Sequence, residues 1–244
     1  MSRRVTLATA ERVLRQLRRD RRTLVLVLVV PPALLTLFRY VFDGQPETFN
    51  RIGGPLVGIF PLISMFLVTS IAMLRERTTG TLERLMSMPL AKLDLLFGYA
   101  LAFALLAAVQ ASITAAVAFG ALGLDTVGPA WAVVLLAVGN AILGMALGLF
   151  LSAFATTEFQ AVQFMPAVIL PQLLLCGLLV PRDRMAPVLE AVSWALPMTY
   201  AYDGLARAVA GLGGARLAVD VLAVGAAIAI SLALGATTLR RRTA

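Results

Sequence analysis

Histidine is absent from the sequence, and cysteine occurs only once. Histidine is the commonest general base and metal ligand near neutral pH, so its absence disfavours triad hydrolases, the usual intramembrane proteases and histidine-ligated haem or zinc sites. The single Cys176 cannot form an intrachain disulfide or a cluster of thiolate ligands. The G-x-x-x-x-G-K-[ST] loop that cradles nucleotide phosphates is also missing, so a partner would have to supply any ATP site.

Charged residues are scarce as well. They make up 14% of the chain against 60% hydrophobic residues, and the mean hydropathy is +0.89. About a quarter of the residues of a soluble domain are charged, so this composition predicts an integral membrane protein. The net charge of +8 comes from arginines in loops between uncharged stretches, without the interleaved aromatic residues on which bases stack. We interpret them as topology signals and expect no nucleic acid partner.

Long apolar stretches are what the chain has instead. A membrane-spanning helix needs about 20 mostly apolar residues. Six such stretches occur between charged residues, which predicts an all-α polytopic membrane protein whose residues 1–244 form one transmembrane domain. The predicted spans are residues 23–42, 52–74, 95–119, 129–151, 159–180 and 221–239.

The distribution of basic residues predicts the topology. Eight precede the first span, four lie between the second and third spans, and three follow the last, whereas five lie on the opposite side. Loops rich in Lys and Arg remain in the cytoplasm. We therefore expect a multi-pass protein with both termini and the loop 75–94 in the cytoplasm and the segment 181–220 outside.

The basic segment 1–22 has helical periodicity. Leu7, Ala10, Val13, Leu14 and Leu17 fall on one face, and most of the arginines fall elsewhere. This pattern predicts an amphipathic helix that lies on the cytoplasmic leaflet, in contact with membrane lipids. The alternative is a disordered basic tail that serves only to orient the protein.

The external segment 181–220 is long and apolar. Two stretches within it, 187–196 and 200–212, predict short helices separated by Pro197, and each is too short to cross a bilayer of about 30 Å. We expect re-entrant or interfacial helices, with Trp194, Tyr200 and Tyr202 in the outer aromatic belt and Asp203 paired with Arg207 on the surface. An ordinary ordered external loop is the alternative.

The loop 75–94 carries the strongest functional signal. Gly80 interrupts the charged exit of the second span, and Pro89 ends a predicted short helix over 81–87. On this helix one face is apolar, so a cytoplasmic protein could bury it and pair with the charges opposite. A plain charged loop is the alternative. The apolar face consists of Leu82, Leu85 and Met86, and the polar face of Glu83, Arg84 and Ser87.

Two motifs stand out, one in the loop 75–94 and one around the fifth span and the segment after it. The first is Arg75, Glu76, Gly80, Thr81, Glu83 and Pro89, followed by Gly98. The second is Pro166, Pro171, Gly177, Pro181, Pro187, Leu196, Pro197, Tyr200 and Arg207. Together they resemble the signature of type-2 ABC transporter permeases, and the resemblance covers nearly the whole chain. The chain departs from it at Tyr99, where lysine is common, at Ala91, where a small hydroxyl residue is common, and at Cys176, where serine is usual.

The resemblance implies a permease that pairs with a second permease subunit, identical or different, and with two ATP-binding subunits that hold ATP and Mg. Drug exporters of the daunorubicin-resistance type are most similar, which implies outward transport of drug-like or lipid-like molecules across a bacterial cytoplasmic membrane. The chain itself would not be an enzyme. The resemblance also implies that Glu158 in the 155–160 turn is a second contact with the ATPase and that the N-terminal helix acts as a lever. The residues that it implies for the main ATPase contact are Arg75, Glu76, Gly80, Thr81, Leu82, Glu83, Arg84, Leu85 and Pro89.

The spans themselves offer an independent indication of the energy source. Transporters driven by protons or ions keep ionisable residues near the bilayer midplane. Every Asp and Glu of this sequence maps to a loop or a span boundary, and Arg39 lies close to a span end. The driving force therefore is expected to come from outside the membrane. A secondary transporter or channel, a scaffold that transports nothing and a membrane enzyme with an unrecognised site are the alternatives.

Residues within the spans suggest packing and cargo contacts. Two glycine pairs have the G-x-x-x-G spacing that permits close helix approach, Gly54 with Gly58 and Gly144 with Gly148. We expect them to pack within one subunit, and a subunit interface is the alternative. Large apolar side chains of the second and fifth spans could line a path for an apolar cargo, although such residues commonly face lipid or neighbouring helices. The candidates are Phe60, Met65, Phe66, Phe164 and Met165.

Overall fold

The computed structural model describes residues 3–81, 84–85 and 92–238. All regular secondary structure in these ranges is helical, and six helices there are long and apolar enough to cross a membrane. The predicted fold class is therefore confirmed. The six candidate spans are Arg21–Val41, Pro46–Thr78, Leu93–Gly120, Ala130–Leu151, Glu158–Leu175 and Ala215–Thr238.

The helices are numbered along the described chain. A π-helical segment, Met165–Ile169, joins α6 to α7 inside the fifth span, and a single 3-10 turn, Arg182–Arg184, precedes α8. The α-helices are α1 (Arg3–Arg19), α2 (Arg21–Val41), α3 (Pro46–Thr78), α4 (Lys92–Gly120), α5 (Ala130–Leu151), α6 (Glu158–Phe164), α7 (Leu170–Leu175), α8 (Pro187–Ser193), α9 (Pro197–Val209) and α10 (Ala215–Thr238).

The second span is longer than the sequence predicted. Helix α3 has 33 residues, and at 1.5 Å per residue it extends about 50 Å, well beyond the roughly 30 Å of a bilayer core. The prediction ended the span at charged residues on both sides, but the helix continues through them to Thr78. As a result, Arg75, Glu76 and Arg77 lie on a rigid helical extension of the span rather than in a loop.

Close packing of α3 against α5 forms the centre of the bundle. A Cβ atom added to Gly144 would lie 2.0 Å from the Leu62 carbonyl oxygen, and one added to Gly148 would lie 2.5 Å from the Phe66 oxygen. The Thr69 hydroxyl also donates across the contact to the Met145 oxygen at 3.2 Å. Both G-x-x-x-G pairs face neighbours of the same chain, since Gly54 meets Val209 and Gly58 meets Leu205. The assignment of these glycines to packing within the subunit is confirmed.

Contacts between the helix ends group the loops into two sets. At one end Arg12 of α1 contacts Glu76 of α3, and the Arg77 guanidinium donates to the Thr238 hydroxyl of α10 at 3.4 Å. At the other end the Val127 N–H donates to the Val209 oxygen at 2.9 Å. The described chain thus begins and reaches Thr238 at the same end of the bundle, as six spans require. Which end faces the cytoplasm stays a prediction.

The fifth span ends earlier than predicted, at Leu175 instead of residue 180. Pro166 and Pro171 lack the N–H that a regular helix needs, and the segment between them is π-helical. Gly177 then adopts φ +104°, a left-handed conformation that ends the span and turns the chain.

Two short helices occupy the external segment, as predicted, with different bounds. They are α8 and α9, and Pro197 is the first residue of α9 rather than a linker between the helices. The last span begins at Ala215, six residues before the predicted start at Val221. Asp220 misled the prediction because a charge was taken as the span boundary, whereas its carboxylate accepts a hydrogen bond from Arg207.

The N-terminal segment is helical, so the expectation of a helix over the segment 1–22 is confirmed for α1. Its buried residues are Thr9, Ala10 and Val13, and Thr9 lies against Gly98 of α4. The predicted membrane-facing apolar face therefore packs mainly on the protein itself. Leu7 is an exception, because it remains 60% exposed.

We predict that Gly144→Ala destabilises the protein by about 1–3 kcal/mol, because the added methyl group would collide with the Leu62 backbone. Gly139→Ala on the same helix is the matched control, since nothing lies within 4 Å of a Cβ there. Thermal unfolding of both variants in detergent measures the difference. Equal midpoints for the two variants would show that the α3–α5 contact is not close.

Candidate coupling surface, groove and external charge cluster

An ion pair joins the two elements that the resemblance assigned to ATPase coupling. The Arg75 Nε atom donates to Glu158 Oε1 at 2.7 Å, and a second guanidinium nitrogen donates to Oε2 at 3.0 Å. Arg75 lies near the end of α3, and Glu158 is the first residue of α6, which Thr157 caps through the Gln160 N–H. Both side chains are about half exposed. The pair therefore fixes the start of the fifth span to the end of the second and remains accessible to a partner.

A second polar contact joins the N-terminal helix to the same region. The Arg12 guanidinium lies 3.5 Å from the Glu76 carboxylate and donates to the Tyr99 hydroxyl. Glu76 and Tyr99 are both buried. Arg12 thus connects α1 to the end of α3 and the beginning of α4. Tyr99, one of the departures from the resembled family, acts here as the hydrogen-bond acceptor for Arg12.

The predicted docking helix over 81–87 is described only in part. Gly80 has φ +72°, which allows the turn after α3, and the Arg84 N–H donates to the Gly80 oxygen at 3.0 Å. Thr81 is half-buried and hydrogen-bonds to Thr79, Arg84 is exposed, and Leu85 packs on the core. Leu82, Glu83 and Pro89 lie outside the described residues, so the docking surface stays a prediction.

An apolar groove runs between α1, α2 and α3. Its volume is about 790 Å³, and Phe60 and Met165, two of the five predicted cargo-path residues, line it. Met65 and Phe66 are fully buried in the core instead, and Phe164 packs beside Leu74 and Ala161. These three residues therefore do not line the groove, since periodicity within one helix does not reveal which face meets a neighbouring helix, and the cargo path itself stays a prediction. Other lining residues include Val27, Pro31, Leu34, Ile63, Leu67 and Phe103.

Across the described parts of the six spans, ionisable residues lie only within about two turns of a helix end. The interior polar groups there are neutral. Gln110, for example, is buried and donates to the Val27 oxygen at 2.6 Å and to the Ser64 hydroxyl at 2.8 Å. The expectation of uncharged span centres is thereby confirmed for this part of the chain.

The opposite end of the bundle contains a buried charge cluster. Arg182 forms two hydrogen bonds with the Asp203 carboxylate at 2.9 and 2.6 Å, and Arg207 contacts both Asp203, at 3.8 Å, and Asp220. Asp203 and Asp220 are 8% and 4% exposed, so the predicted surface pair of Asp203 and Arg207 is wrong in its location. Two cations and two carboxylates leave the cluster neutral, as burial requires.

Two aromatic residues of the segment 181–220, Trp194 and Tyr202, lie beside this cluster. The Arg182 guanidinium lies 4.6 Å from the centre of the Trp194 ring, and the Tyr200 hydroxyl donates to the Trp194 oxygen at 2.8 Å. Tyr202 is half-buried beside Gly177, and burial raises the pKa of its phenol. The structure therefore joins Trp194 to Arg182 and to Tyr200, while the position of Trp194, Pro197, Tyr200 and Tyr202 in an outer interface stays a prediction.

The sequence interpretation missed Arg12, Arg182 and Asp220 as structural partners. Arg12 was grouped with the solvent-facing arginines. Arg182 lies in an irregular segment, where no helical periodicity predicts the direction of a side chain. A weak signal existed for this cluster, because the largely apolar segment 181–220 contains four arginines and four acidic residues, which balance in charge. Such a balance in an apolar setting favours pairing.

Six apolar helices, charge restricted to their ends and a lateral groove define a polytopic helical membrane protein with the features of a permease. Comparison with known families makes this specific. Residues 4–209 match the profile of the ABC-2 type transporter family. The chain belongs to the ABC-2 type transporter family.

Individual relatives agree with this assignment. The chain is 28% identical over 151 residues to the "Probable multidrug ABC transporter permease YbhR" of Escherichia coli K12, which covers 61% of this chain and 40% of that protein. It is 29% identical over 138 residues to "ABC transporter G family member 20" of Dictyostelium discoideum, covering 57% of this chain and 19% of that protein. The chain thus spans less than half the length of these relatives.

We predict that Arg182→Ala lowers the free energy of unfolding by about 3 kcal/mol, because it leaves the buried Asp203 carboxylate with only the more distant Arg207. Arg184→Ala in the same turn is the control, since Arg184 is exposed. Thermal unfolding measures the loss.

Alkylation of the sole cysteine gives a second measurement of the same change. Burial raises the pKa of the Cys176 thiol to about 11, so it reacts slowly near neutral pH, and Arg182 donates to the Cys176 oxygen. Faster alkylation is expected in Arg182→Ala only. Wild-type stability and labelling in that variant would contradict a structural role for the cluster.

Proposed function

We propose that the chain is the transmembrane permease subunit of an ATP-driven exporter that moves hydrophobic drug-like or lipid-like molecules outward. Membership of the ABC-2 family is the observation that carries this proposal. Separate ATP-binding subunits, two per complex, supply the ATP and Mg site, because the sequence lacks the usual nucleotide loop. The chain provides the path and the coupling surface, and it performs no catalysis itself.

The pairing of Arg75 with Glu158 supports the coupling part of the proposal. A force applied near residues 75–85 would pass directly along the 33-residue helix α3 and, through the ion pair, to the start of the fifth span. Arg12 extends the same connection to α1, which would act as a lever. ATP binding can shift the transporter between states only if the ATPase contacts differ between them, and these linked elements provide surfaces that can differ.

The groove supports the choice of cargo class. It is lined mainly by apolar side chains, and it reaches from Leu34 and Phe60 within the spans to the polar residues Asp20 and Arg75 at one end. Apolar walls favour hydrophobic ligands through burial of nonpolar surface. The related Escherichia coli protein carries the name multidrug permease, which is consistent with such a cargo.

The energy source is the feature that separates this proposal from a secondary transporter. Uncharged span centres in the described part of the chain offer no titratable relay for proton coupling. The working complex contains a second permease subunit, and it lies in a bacterial cytoplasmic membrane with residues 1–22 and 75–94 inside. The arginine-rich ends support this orientation through the positive-inside bias.

We predict that Glu83→Ala combined with Arg84→Ala lowers cargo-stimulated ATP hydrolysis roughly tenfold and weakens co-purification with the ATP-binding subunit, because loss of interface contacts costs about 2 kcal/mol or more. Arg184→Ala combined with Glu190→Ala removes the same residue types at the opposite end and is the control. Unchanged hydrolysis and co-purification in the first variant would refute docking on this helix.

Transport assays on the reconstituted complex test the energy source. Flux should stop when ATP is withheld and persist when the proton gradient is dissipated. The reverse pattern would identify a secondary transporter, and absence of flux under every condition would indicate a scaffold.

We also predict that Leu67→Trp reduces transport of a hydrophobic fluorescent dye severalfold, because the larger ring would fill part of the groove. Leu105→Trp on α4 is the control, since Leu105 is 53% exposed and does not line the groove. Dye flux at equal protein amounts gives the comparison. Equal flux in the two variants would remove the groove from the cargo path.

A further inference from the structure

One face of α1 packs on the protein, and the opposite face points away from it. Thr9, Ala10 and Val13 are buried, and Thr9 lies against Gly98 of α4. The helix is therefore held by protein contacts and does not need insertion into lipid to stay in place. What it offers to its surroundings is the opposite, strongly basic face.

That face is rich in exposed arginine. Arg12, Arg15 and Arg19 have i, i+3 and i+7 spacing, and with Gln16 they line a cleft of about 380 Å³. Arg12 is half-buried at the inner side of this cleft, where it contacts Glu76 and Tyr99, whereas Arg15 and Arg19 are exposed. Among the described residues, one exposed arginine of α1 forms an ion pair, which joins Arg15 to Glu11 of the same helix. The exposed arginines between residues 3 and 22 are Arg3, Arg4, Arg15, Arg18, Arg19, Arg21 and Arg22.

The position of α1 fixes what this face can reach. Only Asp20 separates α1 from α2, which is a membrane span, and the Asp20 carboxylate caps α2 by accepting from the Thr23 N–H at 3.1 Å. The arginines therefore lie within a few residues of the point at which the chain enters the bilayer. Lipid headgroups occupy this level of a membrane.

We propose that the exposed arginine face of α1, with Arg15, Arg18 and Arg19 as the ligands, binds the phosphate groups of anionic phospholipids. Guanidinium groups match phosphate oxygens in charge and geometry. The 60% exposed Leu7 lies one helical turn from Arg4 and supplies an apolar contact for the lipid beside the charged stripe. Exposed leucine beside arginine at the membrane surface favours a lipid over an acidic protein surface as the ligand.

The proposal differs from a membrane anchor. Each arginine near an anionic leaflet contributes about fivefold in affinity, and the attraction weakens as salt screens it. The charge of the headgroup therefore determines which lipid binds, whereas the packing of α1 on α4 does not depend on a bound lipid. The inference does not require that the chain transports any cargo.

Spin-labelled lipids provide the test. The complete chain is reconstituted in nanodiscs of equal parts phosphatidylcholine and phosphatidylglycerol, and the bound fraction of each spin-labelled lipid is measured. We expect a preference for phosphatidylglycerol that falls with added salt. The variant with Arg15→Gln, Arg18→Gln and Arg19→Gln should lose at least roughly tenfold of this preference.

Two matched variants keep the result interpretable. Arg15→Lys, Arg18→Lys and Arg19→Lys should retain most of the preference, because they keep the charge. Arg51→Gln, Arg184→Gln and Arg216→Gln remove three exposed arginines from the other end and should retain it as well. Loss of preference in this last variant equal to that of the α1 glutamine variant, or full preference in the α1 variant, would overturn the proposal.

Co-purification with the ATP-binding subunit distinguishes a lipid from a protein as the ligand of the arginine face. If the α1 glutamine variant keeps its lipid preference but no longer co-purifies with that subunit, the arginine face binds protein and the proposal is wrong. If lipid preference is lost while co-purification persists, the proposal is supported and the docking prediction for residues 81–87 is unaffected.

Discussion

The contact between α3 and α5, made possible by glycine, is the constraint on which the rest of the molecule depends. No bulkier residue fits where the Gly144 and Gly148 backbone meets Leu62 and Phe66 of the opposing helix. A bilayer offers no hydrophobic driving force between helices, so close backbone approach and dispersion contacts must hold them together. This contact fixes the long helix α3, and α3 in turn sets the positions of the charged groups at both ends of the bundle.

Each end of the bundle contains a group of paired charges, and the two groups have different consequences. At one end the Arg75–Glu158 pair is half exposed, so it contributes little to stability and remains open to a partner. At the other end Arg182, Asp203, Arg207 and Asp220 are largely buried, so each partner is needed to offset the desolvation of the others. The accessible pair leaves its charges open to a partner, whereas the buried cluster holds the segment 181–220 against α10.

Much of the architecture was predictable from composition, because membrane solvation acts on every residue of a span alike. The number of spans followed from apolar length, the N-terminal helix from helical periodicity, and the short helices near Pro197 from their length and proline placement. Boundaries were less accurate wherever a charge found a partner, as at Asp220 and at Arg75. For the candidate site, the resemblance selected Arg75 and Glu158, but no local pattern could pair them across 83 residues of sequence.

By itself, the sequence determined that the chain is a helical membrane protein with uncharged span centres and basic segments at one end, because hydropathy and charge are properties of residues regardless of their neighbours. Tertiary structure decided which apolar side chains line the groove and which fill the core. On the same helix, Phe60 lines the groove and Phe66 is buried in the core. It also decided which charges are buried. Both outcomes depend on how helices rotate and approach one another, and that is set by contacts between residues far apart in the chain.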